Sequence, residues 1–127
     1  MFEKYLYKKI RKFVVNNYKQ IDVQPGNGMF NFMCHSNSVN EAIKCNEDEV
    51  ALCVYFHGDK PIIHFINISN GIYVDNTLGY WSKQYKYFSV RTIPRKDFFE
   101  VHNIHIDFTK QLRKNIRVLR LFSKYLK

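Results

Sequence analysis

The sequence predicts an α+β domain in which helices flank an antiparallel sheet of about four strands. Three observations carry the prediction: apolar residues recur at helical spacing at both ends of the chain, alternating or β-branched segments fill the middle, and turn-forming clusters separate them. Phe2, Leu6, Ile10, Phe13 and Val14 define an amphipathic helix over residues 2–19, basic outside because Lys4, Lys8, Lys9, Arg11 and Lys12 take its other faces. Gln24-Pro25-Gly26-Asn27-Gly28 is the strongest breaker and ends that unit. A second helix is expected over 36–45, with Ser36 or Asn37 able to cap it.

Glu49 to His57 then alternates as a strand, with Val50, Leu52 and Val54 on one face and Ala51, Cys53 and Tyr55 on the other. Gly58-Asp59-Lys60 turns into a strand from Pro61 to Ile68, Ser69-Asn70-Gly71 forms a tight turn, and Ile72 to Thr77 returns, so this pair reads as a hairpin. Tyr80 to Tyr85 is aromatic and irregular, and Lys86 to Ile93 makes a fourth strand that Pro94 stops. After a short helix over 95–101, Leu112, Ile116, Leu119 and Phe122 share one face between Thr109 and Leu126. Lys110, Arg113, Lys114, Arg117 and Lys124 lie opposite, giving a closing basic helix.

A chain of 127 residues, 46% hydrophobic and 17% aromatic, suits one domain spanning 1–127 with a real core and excludes a disordered protein. No apolar run approaches the roughly 18–20 residues that span a bilayer, and no signal peptide is read at the N-terminus, so a cytoplasmic location is the expectation. Cys34, Cys45 and Cys53 are odd in number and lack CxxC spacing, which argues for reduced thiols over disulfides or structural zinc. The net charge of +9 favours an acidic partner. Its lysines and arginines crowd the ends, whereas 21–59 carries six acids against Lys44. The bias toward lysine, asparagine and isoleucine fits an AT-rich genome of the kind phages and other mobile elements carry, which would place the chain in a host cytoplasm.

The chemistry-bearing residues gather between Cys34 and Gly79. A free thiol, with a pKa of roughly 8.5, is a few per cent thiolate at neutral pH, and a helix N-terminus or an imidazolium neighbour increases that fraction. Cys34 at a helix start with His64 as partner would have both. If the hairpin loop centres between Ser69 and Asn70, His64 lies opposite Asp75; a loop one residue longer puts Asn76 there. Either can fix the ring's orientation and tautomer. For an oxyanion the candidate donors are the Cys34 backbone N–H and the amides of Asn31 and Gln24, with Asn67 and Thr77 supporting the hairpin.

At these residues the sequence resembles transglutaminase-like proteins of the papain-like superfamily. His64-Phe65-Ile66-Asn67, Gly71 and Tyr73-Val74-Asp75-Asn76-Thr77-Leu78-Gly79 resemble the histidine strand and the Asp-x-Thr strand of that group, and the order Cys, His, Asp agrees. The resemblance covers about 46 residues, from Cys34 to Gly79, and departs from the pattern at His35, where an aromatic residue commonly stands. It implies a helix-on-sheet core with Cys34 as nucleophile, His64 as base and Asp75 as orienting residue. The implied activity is cofactor-free acyl chemistry on an amide or ester of a protein or peptide, as peptidase, amidase, deamidase or transglutaminase.

Other readings compete. Tyr80, Trp81, Tyr85, Tyr87 and Phe88 interleaved with Lys83 and Lys86 suit stacking on single-stranded bases, and the basic helices suit nucleic acid or an acidic protein, yet no nucleic-acid motif is present. A degenerate member binding its partner through the old cleft is a third reading. His102 and His105 beside Asp107 can hold a metal if helical, but no third ligand is evident. Gly26-Asn27-Gly28 lacks the lysine and hydroxyl of a phosphate loop.

Overall fold

In the computed structural model, which describes residues 2–29 and 33–125 with side chains over 4–29 and 33–114, the chain runs α1 (Phe2–Asn17), β1 (Lys19–Ile21), β2 (Val23–Pro25), α2 (Cys34–Lys44), β3 (Glu49–His57), β4 (Lys60–Ser69), β5 (Ile72–Asp75), β6 (Tyr87–Pro94) and α3 (Val101–Tyr125), with 3-10 helices at Gly79–Gln84 and Arg95–Glu100. The fold is α+β. Its sheet has six strands and not four, in the order β1-β6-β3-β4-β5-β2, and it is mixed because β2 pairs parallel to β5. The two extra strands are three residues each, too short for any hydrophobic period to show.

Asp22 alone separates β1 from β2, yet these strands lie at opposite edges of the sheet. The edges must therefore approach each other, and the sheet curls nearly to closure. A β-bulge assists the bend: Leu52 pairs with Arg91 and Cys53 with Ser89, leaving Val90 as the extra residue. The bulge also resets the alternation of β6. Tyr87 faces the inside of the curl, whereas Ile93, six residues on, joins the layer beneath the helices.

Two cores result. Outside the curl, Ile10 and Val14 of α1, Val39 and Ala42 of α2, and Phe108 and Leu112 of α3 pack on Val50, Leu52, Val54, Phe65, Phe88 and Ile93. Inside it, Ala51, Cys53, Tyr55, Ile66 and Tyr87 are lined by partly buried Ile21, Val23, Ile62 and Tyr73. The alternation of β3 thus divides between the cores as its sequence pattern indicates.

Other boundaries shift for local reasons. Helix α1 ends at Asn17, where the strand pairing of β1 takes over. Helix α2 starts at Cys34 with Met33 in the N-cap position, so Ser36 and Asn37 lie within its first turn. It ends in a Schellman motif, with Asn46 left-handed (φ 54°), its N–H donating to Ile43 O and that of Glu47 to Ala42 O. Helix α3 begins eight residues before Thr109, so His102 and His105 are helical. The side chains of Ile116, Arg117, Leu119, Phe122 and Lys124 and all of Asn31 lie outside those described. No helix among the described residues is long and apolar enough to cross a membrane.

The β4–β5 hairpin turns through Asn70 and Gly71, both at positive φ (52° and 77°), the signature of a type I′ turn. Ser69 pairs with Ile72 and Asn67 with Val74, so the loop centres between Asn70 and Gly71, one residue later than the register that sets His64 opposite Asp75 and half a residue later than the one that sets it opposite Asn76. Beyond β5, the turn at 75–79 is covered by the chain leaving β2: Gly26 N donates to Asp75 O, and Gly28 N and Met29 N to Asn76 O, each at 3.0 Å. Gly79 sits at φ +55°, where a Cβ would meet Gly28 Cα at 2.6 Å, whereas Gly58 at φ +62° has nothing within 4 Å. Gly58→Ala should therefore cost only the left-handed strain of roughly 1–2 kcal/mol. Gly79→Ala should cost clearly more in chemical denaturation, because two backbones must also separate.

Candidate active site

Asp75 ends β5 with no solvent exposure, and His64 on β4 is 3% exposed. By the hairpin register Asp75 falls beside Ile66, two residues from His64 and on the same face of the sheet, so the two side chains meet diagonally. His64 Nε2 donates to Asp75 Oδ2 at 2.8 Å. The Tyr87 hydroxyl donates to the same oxygen at 2.6 Å, and the backbone N–H groups of Thr77 (3.0 Å) and Leu78 (2.9 Å) donate to Oδ1. Burial alone would raise this carboxyl, but the bonds from His64, Tyr87 and Leu78 hold it below the ordinary carboxylate range. Burial, followed by the charge of Asp75, pushes the Tyr87 hydroxyl well up, so it stays a donor.

The Cys34 thiol lies close enough to the same imidazole to help raise it. With Nε2 committed to Asp75, Nδ1 is the ring nitrogen left for sulfur. Burial opposes charge on His64, yet Asp75 and Cys34 outweigh it and raise the imidazole to about 9. Tyr55 and Tyr87 wall the ring at centroid distances of 5.2 and 6.3 Å.

Half-buried Cys34 is the first residue of α2. The first N–H bonded within that helix is Asn37's, to Met33 O at 2.8 Å, so the ladder does not use those of Cys34, His35 and Ser36. A polar network fixes the helix start against the hairpin. Asn37 Nδ2 donates to Thr77 Oγ1, Asn67 Nδ2 donates to Ser38 O and Glu47 Oε1, and Asn76 Nδ2 donates to Asn67 Oδ1. Asn76 Oδ1 accepts from Asn27 N. The amide of Asn76 is thus spent on this network, and the side chain bonded to His64 is that of Asp75.

Gln24 is exposed on β2 and lines a groove with Lys19, Ile21, Asp22 and Tyr73. Strand alternation turns it outward, so it is not among the groups gathered at the thiol. From sequence Tyr87 stands only in the aromatic run that suits base stacking, with no signal that its hydroxyl would serve Asp75. That run divides, with Tyr80 and Trp81 exposed (73% and 54%) and Tyr87 and Phe88 buried, which leaves the two latter rings no face for a stacked base.

The other thiols differ in setting. Cys53 is fully buried and donates to His64 O at 3.4 Å; burial, and then Asp75, push it well up. Exposed Cys45 is raised by its hydrogen bond to Glu41. The chain matches no family model, no curated protein and no solved structure.

The His64–Asp75 pair sets a pH dependence. A raised imidazole stabilises the fold fully below its unfolded pKa of about 6.5, and that stability is lost as pH rises through about 9. A lowered carboxyl stabilises above its unfolded pKa of about 3.9, and that part is lost as pH falls below it. Thermal melts should show a plateau from roughly pH 4 to 6.5 and a decline toward 9. Asp75→Asn should lower the plateau, by roughly 3–5 kcal/mol if it behaves as a broken buried pair, and should abolish the alkaline decline.

Proposed function

We propose that the chain is a thiol-dependent acyl-transfer or hydrolytic enzyme acting on an amide or ester carbonyl of a protein or peptide, related in architecture to transglutaminase-like proteins. One observation carries this reading: a single buried imidazole is bonded to a carboxylate with no access to water and lies close enough to the thiol that opens α2 to be raised by it. A thiol, imidazole and carboxylate in that order form a nucleophile, a base and a group that fixes the base.

His64 takes the Cys34 proton and holds it as an imidazolium against Asp75. The thiolate attacks the carbonyl carbon, and the carbonyl electron pair moves to oxygen. The backbone N–H of Cys34 at the helix start is the donor best placed for that oxyanion. Collapse of the adduct breaks the C–N or C–O bond, His64 gives its proton to the departing amine or alcohol, and a thioester remains. Water or an amine, deprotonated by His64, then attacks the thioester and releases the thiol. The network through Asn37, Ser38, Asn67 and Asn76 supplies the fixed spacing this sequence of transfers needs.

Alkylation tests the reading. At about pH 6, iodoacetamide should label Cys34 at least about tenfold faster than Cys45 or Cys53, since imidazolium pairing preserves a thiolate where ordinary thiols are protonated. His64→Ala should remove the advantage, and Asp75→Asn should slow labelling far more than Asn76→Ala in folded protein. Equal, slow labelling of all three thiols in the wild type would overturn the proposal.

A further inference from the structure

Beside the thiol site, the start of α2 and the first turns of α3 border an open cavity of about 350 Å3 whose lining includes His35, His102, His105, Thr109, Lys110 and Arg113. His35 meets the rings of His105 and His102 at centroid distances of 4.9 and 5.7 Å, and His35 Nε2 lies 2.7 Å from His105 Nδ1 in a hydrogen bond. None of the residues lining the cavity is acidic. Three imidazoles therefore stand together beside Lys110 and Arg113, with Ile106 and Thr109 completing the lining and no negative charge in it.

A metal does not suit the arrangement. Two imidazole nitrogens on one tetrahedral zinc, each at about 2.05 Å, stand about 3.3 Å apart, and the 2.7 Å contact is a hydrogen bond that occupies a nitrogen on each ring. Among the described residues no three His, Cys, Asp or Glu side chains are disposed to hold a metal ion. An anion suits it better. Imidazolium N–H groups, an ammonium and a guanidinium all donate, phosphate oxygens accept, and the cavity is of small-ligand size.

We propose that this cavity is a second binding site, for a phosphate-type oxyanion carried free or on a small molecule, and that protons are taken up by its histidines when the anion binds. His35 faces His102 and His105 from α3, and Phe65 and the nearby His64 from β4. Burial, then His105, His102 and His64, bring His35 down to about 4, and burial with His102 lowers His105. Both rings are thus held neutral near pH 7 until a negative charge arrives. The site stands independently of the thiol chemistry, since it uses neither Cys34 nor Asp75.

Isothermal titration with sulfate, whose charge is constant over this range, provides the test. Affinity should rise as pH falls from 8 to 6, by up to about tenfold per pH unit, as expected for net uptake of a proton, and the heat should vary with the buffer's ionisation enthalpy. His35→Gln and His105→Gln should each lose most of the binding while melting cooperatively, and Cys34→Ser should bind as the wild type does, even if the thiol proves unreactive. Tighter binding of glycerol phosphate than of inorganic phosphate would assign the group to an organic ester, and the reverse to the free ion. Sulfate affinity independent of pH and of His35, no binding at millimolar sulfate, or stoichiometric zinc uptake abolished by His102→Ala would overturn the proposal.

Discussion

A carboxylate sealed from water governs this structure. An ionised Asp75 with no exposure is tolerable only if its oxygens are fully supplied with donors, and the four that serve it come from three separate places: the ring on β4, the hydroxyl on β6 and the backbone of the turn after β5. Reaching Asp75 from β6 requires the sheet to curl, and reaching it from β4 requires a hairpin register that keeps 64 and 75 on one face. Curl, register and the proton held by His64 are therefore consequences of one buried charge.

The thiol depends on that arrangement at one remove. Cys34 lies on a helix, not on the sheet, and its position relative to His64 is set by amide side chains that link α2 to the hairpin. Asn67 and Asn76 each bond in two directions, so their substitution would loosen the helix start without touching the imidazole. Close glycine contact completes the mounting. Gly26 lies so near Asn76 that a Cβ there would collide with its Oδ1.

How much was legible in the sequence follows from the range of the forces involved. The two faces of β3 show as alternation because each residue reports its own burial. The Asn70-Gly71 turn announced the hairpin, yet its centre decides the register, and the choice between Ser69-Asn70 and Asn70-Gly71 moves every pair by one residue on each strand. That Asp75 and not Asn76 shares the face of His64 survives, since the shift preserves parity. Strands β1 and β2 left no trace because tertiary pairing alone makes them strands. Ile104, Ile106 and Phe108 alternate like a strand, which hid the start of α3; in the fold Val101, Phe108 and Leu112 are buried while Ile106 is 40% exposed. Tyr87 and the meeting of His35 with His102 and His105 depend on long-range closure, for which a single sequence carries no local signal.

The single residue between β1 and β2 also bears on how the chain is made. Residues 19–25 need β5 on one side and β6 on the other, and the second partner extends to Ser89. A ribosome adding about 5–20 residues per second takes roughly 3–13 s to go from residue 25 to residue 89. Until Asp75 is made residues 23–25 have no edge to join, and residues 19–21 wait until Ser89, unpaired beside an emerging β3–β4 hairpin whose own edges are open. The strand synthesised first, β1, waits across the longest stretch of chain for its partner.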